Sequence, residues 1–155
     1  MKTSYSLLVA FFALFATMTA SAQQPWKVGD YYDVDGKQGV VFVVTSGGEH
    51  GKIVCLRELG RISWDTAKSK CAELGTGWYL PSKDELESMY KAKSKITPTL
   101  LAVGDPLEAG IYWSSTEYDK TLYDNAFAWF VDMRDGDTYR NFKDLGNYVR
   151  AVSTF

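Results

Sequence analysis

The hydrophobic period of this chain changes twice, and that double switch restricts its fold more than any other feature. Val40 to Thr45 reads VVFVVT, a β-branched run suited to a buried strand. Ser46-Gly47-Gly48-Glu49-His50-Gly51 then supplies a turn, and Lys52 to Leu56 a returning strand. From Ser63 the spacing becomes helical. Trp64, Ala67, Cys71 and Leu74 fall on one face, with Ser63 as cap, Asp65 in the first turn and Gly75 past the end. Ser82-Lys83-Asp84-Glu85 opens a second helix as a capping box, with Leu86, Met89 and Tyr90 as its buried stripe. Thr97-Pro98 offers a third, short helix through Val103, because proline suits a first helical position. Ile111 onward reads as strand again. Phe127, Trp129, Val131 and Met133 alternate with Ala128 and Phe130, which predicts a central strand covered on both faces. Arg134-Asp135-Gly136-Asp137 is hairpin-turn chemistry, with Thr138 to Phe142 as the return and Tyr148 to Ser153 as a closing strand. Strands, then helices, then strands specify an α+β fold with a mostly antiparallel sheet.

Ahead of this pattern, Lys2 precedes the apolar run LLVAFFALFA, and Ala20-Ser21-Ala22 comes just before Gln23. Those three parts in that order are expected of a secretory signal peptide over residues 1–22, and the apolar run is too short to span a bilayer comfortably. Residues 23–155 then form a single domain, large enough to bury one core. The location expected is exported: periplasmic, cell-surface or secreted. Export also bears on Cys55 and Cys71. Two thiols in an oxidising compartment more often pair than catalyse, so a Cys55–Cys71 disulfide is expected, with two separate buried thiols as the alternative.

Several functions are disfavoured by what the chain contains. Its formal net charge is −2, with no basic stripe of the kind that binds phosphates, so nucleic acid is not an expected partner. Lys91-Ala92-Lys93-Ser94-Lys95 reads as the solvated part of a helix. His50 is the one histidine and sits among glycines, which gives neither a metal site nor a triad with Ser or Cys. Asp132, Asp135 and Asp137 have the oxygens for a hard cation, yet turn chemistry accounts for them better. Glycoside chemistry needs two carboxyl groups, and Glu85 with Glu87, Asp84 with Glu117, or Asp132 with Glu108 are the pairs available. Capping and helix-dipole roles account for Glu85 and Asp84 first. No enzyme activity, metal or cofactor is therefore expected, and a carboxylate-based glycan-active enzyme stands as an alternative.

The runs SWDTAKSKCAELGTGWYLPSKDELESMY, YWSSTE, AWFVDMRDG and YVRAV, in that order, resemble the C-terminal domain family of the collagen-like adhesin Lcl, across about Gly29 to Val152. The resemblance implies a C-type-lectin-like fold, shared with formylglycine-generating enzymes and with receptor tips varied by retroelements. In it two helices flank the sheet and the N- and C-terminal strands lie close together. It also implies adhesion, including binding of sulfated polysaccharides. The Glu-Pro-Asn and Trp-Asn-Asp triplets of calcium-dependent lectins are missing, and the cysteines fall elsewhere than the reactive pair of the formylglycine enzymes.

Within this frame Tyr112, Trp113 and Trp129 are expected in the core, with Ser114 and Ser115 satisfying backbone groups. The segment Glu117 to Asn125 has no period and is expected at the surface. The ligand-binding residues expected are Tyr118, Tyr123, Arg134, Tyr139, Arg140 and Asn141, a mixture of rings, guanidinium groups and amide typical of contact faces. The partner is a glycan or a protein. A retroelement-diversified receptor is the related alternative.

Overall fold

The computed structural model describes residues 24–119 and 124–155. Its elements in chain order are β1 (Tyr31–Val34), β2 (Lys37–Thr45), β3 (His50–Cys55), β4 (Arg61–Ile62), α1 (Trp64–Ala72), α2 (Lys83–Val103), β5 (Ile111–Glu117), β6 (Phe127–Asp132), β7 (Thr138–Phe142), β8 (Asn147–Tyr148) and β9 (Val152–Thr154). They form two sheets. One has the order β1-β2-β3-β9 and is antiparallel throughout; the other has the order β4-β8-β5-β6-β7, in which only β5 and β8 run parallel. A bridge between Tyr79 and Val152 ties the stretch before α2 to β9.

The main core lies between α2 and the strands. Leu86, Met89, Ala92, Ile96 and Leu100 line the inner face of α2 and meet Val40, Phe42, Tyr112, Val131 and Met133. Each large side chain of this set stabilises by about 1.5–3 kcal/mol through removal from water. A second cluster, under α1, gathers Trp64, Ala67, Cys55, Cys71, Trp113, Ala128 and Val149. β5 serves both: Tyr112 points into the first cluster and its neighbour Trp113 into the second, as strand alternation requires.

The start of α2 follows the sequence expectation in detail. Ser82 Oγ accepts from the Glu85 N–H, and the Glu85 carboxylate accepts from the Ser82 N–H at 2.7 Å. Glu85 also takes the Tyr79 hydroxyl and the Lys52 ammonium. The expected third helix does not exist. α2 runs through Pro98 to Val103, because Ile96 and Leu100 continue its buried stripe and Thr97 Oγ1 donates to the Lys93 carbonyl at 2.7 Å. Leu74 is also displaced from its expected place. α1 ends at Ala72, two residues short of Leu74, and Leu74 is exposed.

Two features had no counterpart in the sequence reading. β1 pairs with β2 through a tight turn at Asp35 and Gly36, both at positive φ. Arg150 has no exposed surface, and its guanidinium donates to the carbonyls of Cys55, Leu56, Asp105 and Pro106. Glu58 lies 3.5 Å from it and accepts from the Tyr112 hydroxyl at 2.9 Å. Burial pushes Glu58 above the usual carboxylate range, against the opposing pull of Arg150. β1 and β9 occupy opposite edges of their sheet and do not pair with each other. The two ends of the domain still meet, through the rings of Trp26, Tyr32 and Phe155, whose centroids are 4.8 to 6.0 Å apart.

Candidate binding face

β6 carries the candidate face, and the reach of α2 divides it. Val131 and Met133, toward one end, are buried under the helix. Phe127 and Trp129, toward the other, are only half-buried. The helix begins at Lys83, whose Nζ lies 5.7 Å from the Trp129 ring centroid, so the cover stops there. Trp129 is thus not the core residue that its alternation predicts. A period identifies which residues share a face but not how far the opposing element extends.

The register with β7 sets what surrounds these rings. Phe142 lies opposite Phe127, and Arg140 opposite Trp129. The two Phe rings are 4.3 Å apart at their centroids. Tyr118, just past β5, meets the Trp129 ring edge-on at 5.2 Å and the Phe127 ring at 6.4 Å. The Arg140 guanidinium lies over the Tyr118 ring at 4.6 Å and donates to its hydroxyl at 3.4 Å. Phe142 is 51% exposed. The outcome is a run of four aromatic side chains with one guanidinium across them, open to solvent at the end of the sheet.

The expected contact residues divide accordingly. Tyr118 and Arg140 come together on this face. Tyr139 and Asn141 alternate with Arg140 and point to the opposite side of β7, where Tyr139 donates to Asp137 at 3.1 Å and Asn141 donates to the Asn147 side chain at 3.0 Å. Arg134 sits in the hairpin turn, clamped on the buried carboxylate of Asp132, which holds Asp132 below the usual carboxylate range. Tyr123 lies outside the described residues. Phe127, Trp129 and Phe142 share this face and were not among the expected contact residues. Their exposure follows from where α2 begins, and the spacing along β6 carries no sign of it.

Of the remaining expectations, Tyr112 and Trp113 are fully buried. Trp113 Nε1 donates to the Ile62 carbonyl at 2.9 Å and Ser114 Oγ to that of Trp129 at 2.8 Å. Most of the acids considered for a cation or for catalysis have other partners. Asp132 holds Arg134, Asp135 accepts from the Asp137 N–H, Glu87 pairs with Lys83 and Glu117 with Lys143. Among the described residues no group of three or more His, Cys, Asp or Glu is placed to hold a metal.

The disulfide expected between Cys55 and Cys71 is not formed. Both are free thiols buried in the cluster under α1, and Cys55 Sγ donates to the Arg57 carbonyl at 3.1 Å. Burial pushes the Cys55 thiol up to about 11 and that of Cys71 up to about 12. The thiolate that disulfide chemistry needs is thereby suppressed.

Two helices packed on two mostly antiparallel sheets make this an α+β domain. The chain belongs to the Lcl C-terminal domain family, whose model matches residues 34–153. Among curated proteins none matches it. Among solved structures it is similar to a chain in a complex of botrocetin with a mutant A1 domain of von Willebrand factor, at 12% identity and TM-score 0.44, covering 81% of this chain and 97% of that one. It is similar to botrocetin alone, at 14% identity and TM-score 0.43, covering 79% and 94%. It is also similar to EMS16, an antagonist of the collagen receptor integrin alpha2beta1, at 12% identity and TM-score 0.40, covering 84% and 98%.

Proposed function

We infer that this is an exported, non-catalytic recognition module, and that it binds its ligand on the open end of β6 and β7. The observation that carries this reading is Trp129, a large ring left half-covered where α2 stops, with Tyr118, Phe127 and Phe142 beside it and Arg140 across it. Rings placed this way offer contact area without ordering cost, because their partners already fix them. Membership of the Lcl C-terminal domain family and the leader-like residues 1–22 support an adhesive role outside the cytoplasm. No described helix is long and apolar enough to cross a membrane.

A panel of immobilised glycans and a panel of purified surface proteins, each probed with the intact domain, Trp129→Ala and Arg140→Glu, test the assignment. Ligands that bind the intact domain are expected to lose about tenfold or more in affinity with either variant, as for a central aromatic or arginine anchor. A ligand that binds both variants as well as the intact domain places recognition elsewhere and overturns the assignment.

A further inference from the structure

β7 is the outer strand of its sheet, and part of its edge is ready to hydrogen-bond. The Asp132 N–H donates to the Asp137 carbonyl and the Lys143 N–H to the Ala126 carbonyl. Counting inward from these two pairs along the register, Tyr139 and Asn141 spend their backbone groups on β6, while Thr138, Arg140 and Phe142 turn theirs outward. Phe142 is already satisfied, because its N–H donates to the Asn141 side chain and its carbonyl accepts from Leu145. Thr138 and Arg140 have no backbone partner among the described residues. Their side chains lie on the same side as the aromatic face. Arg140 forms no ion pair among the described residues, although Lys83 and Lys143 beside the face each have a carboxylate.

We propose that this face receives an extended acidic peptide segment of a partner protein, added as an antiparallel strand on β7. It rests on the recognition face assigned above and names the class of ligand. The segment carries an acidic residue opposite Arg140 and an apolar residue opposite Phe142, two positions toward its own N-terminus. The acid completes the guanidinium, the apolar side chain covers the Phe142 and Phe127 pair, and the backbone of the acidic residue closes both hydrogen bonds of Arg140. A sugar has no alternating donor and acceptor row to match this edge. A second copy of the chain is the competing occupant, since β1 presents Tyr31 and Asp33 in the same pattern. The Asp33 carboxylate, however, is already taken by Gln38 and the Tyr31 hydroxyl.

The test uses a synthetic peptide, acetyl-Thr-Phe-Thr-Glu-Thr-Val-Thr-amide, titrated into the isotopically labelled domain and followed by amide NMR and hydrogen exchange. Binding is expected to slow exchange at the Arg140 amide. Methylating the Glu nitrogen, which removes one of the two backbone bonds, is expected to weaken binding about tenfold, whereas methylating the Thr nitrogen that follows is not. Arg140→Glu is expected to lose the Glu peptide and to accept the same peptide with Lys in its place. Peptide binding that ignores Glu methylation, or no binding at millimolar peptide, overturns strand addition. If ligands from the panels above still depend on Trp129, the face survives that failure; if none does, both readings fall. Self-association abolished by Asp33→Arg, measured by sedimentation, overturns the separate partner in favour of a second copy.

Discussion

Arg150 gathers four carbonyls from two separate stretches of chain, and no water reaches it. A buried cation of this kind is costly to orphan and costly to remove when its counter-charge stays behind. Arg150→Met is expected to destabilise the domain by about 3–5 kcal/mol, leaving Glu58 buried without its partner. Urea unfolding measures this, and the double variant with Glu58→Gln should lose less than the two single losses added together. The thiols allow a second check at this scale. Alkylation without reductant should leave Cys55 and Cys71 unlabelled in the folded domain and label both once it is unfolded. Mass spectrometry that finds neither labelled after unfolding contradicts the free-thiol structure. Single residues were the least legible part of the sequence. Trp129 and Val131 sit on the same side of the same strand, and nothing in their spacing says that one is covered by α2 and the other only partly. Arg150, in a run reading YVRAV, gives no sign of facing inward, because its partners are carbonyls contributed by distant segments.

At the scale of elements, α2 is governed by two local devices with opposite signs. The capping box fixes its start and was readable as four consecutive residues. Pro98 interrupts its interior and read as a boundary, yet the helix continues because Ile96 and Leu100 gain more from burial than the lost hydrogen bond costs. Pro98 is exposed, so Pro98→Ala should restore a donor to the Ser94 carbonyl without disturbing packing. A rise in stability of roughly 1–3 kcal/mol is expected from calorimetry, bounded above by the intrinsic helix cost of proline. The β7 hairpin has its own constraint. Gly136 takes φ +84°, and a Cβ there would run into the Tyr90 ring, so Gly136→Ala should both strain the turn and displace that ring from its contact with the core. Strand β1 was equally within reach of the sequence, since Asp35-Gly36 is a hairpin dipeptide flanked by Tyr-Tyr and by the β-branched run. Element type followed from period and turn chemistry; element ends depended on contacts between segments far apart in the chain.

For the molecule as a whole, the carboxylates predict how acid unfolds it. Burial works to raise Glu85, but the Lys52 ammonium, the Ser82 N–H and the Tyr79 hydroxyl together bring it below its ordinary value of 4.5. Hydrogen bonding to Arg134 brings Asp132 below 3.8. Both therefore contribute stability that is complete above those ordinary values and is lost as pH falls through the lower, folded ones. Glu58, raised by burial, has the opposite sign: its contribution is complete below 4.5 and is lost as pH rises through its folded value. Melting temperature should thus fall on acidification below about pH 4.5, and Glu85→Gln should flatten that limb while lowering stability at neutral pH. An unchanged acid limb in that variant contradicts the role of Glu85. Fold class was legible at this scale because two changes of period leave few arrangements open. The division into two sheets was not, since it depends on β8 crossing to lie beside both β4 and β5.

The ring contact between Trp26 and Phe155 has a practical corollary for anyone rebuilding this domain. With Trp26 and Phe155 in ring contact beside the sheet that does not bear the aromatic end, a short flexible link suffices to join the two ends of the domain. New ends opened in the exposed Asp35-Gly36 turn leave β6 and β7 uncut, and with them the recognition surface.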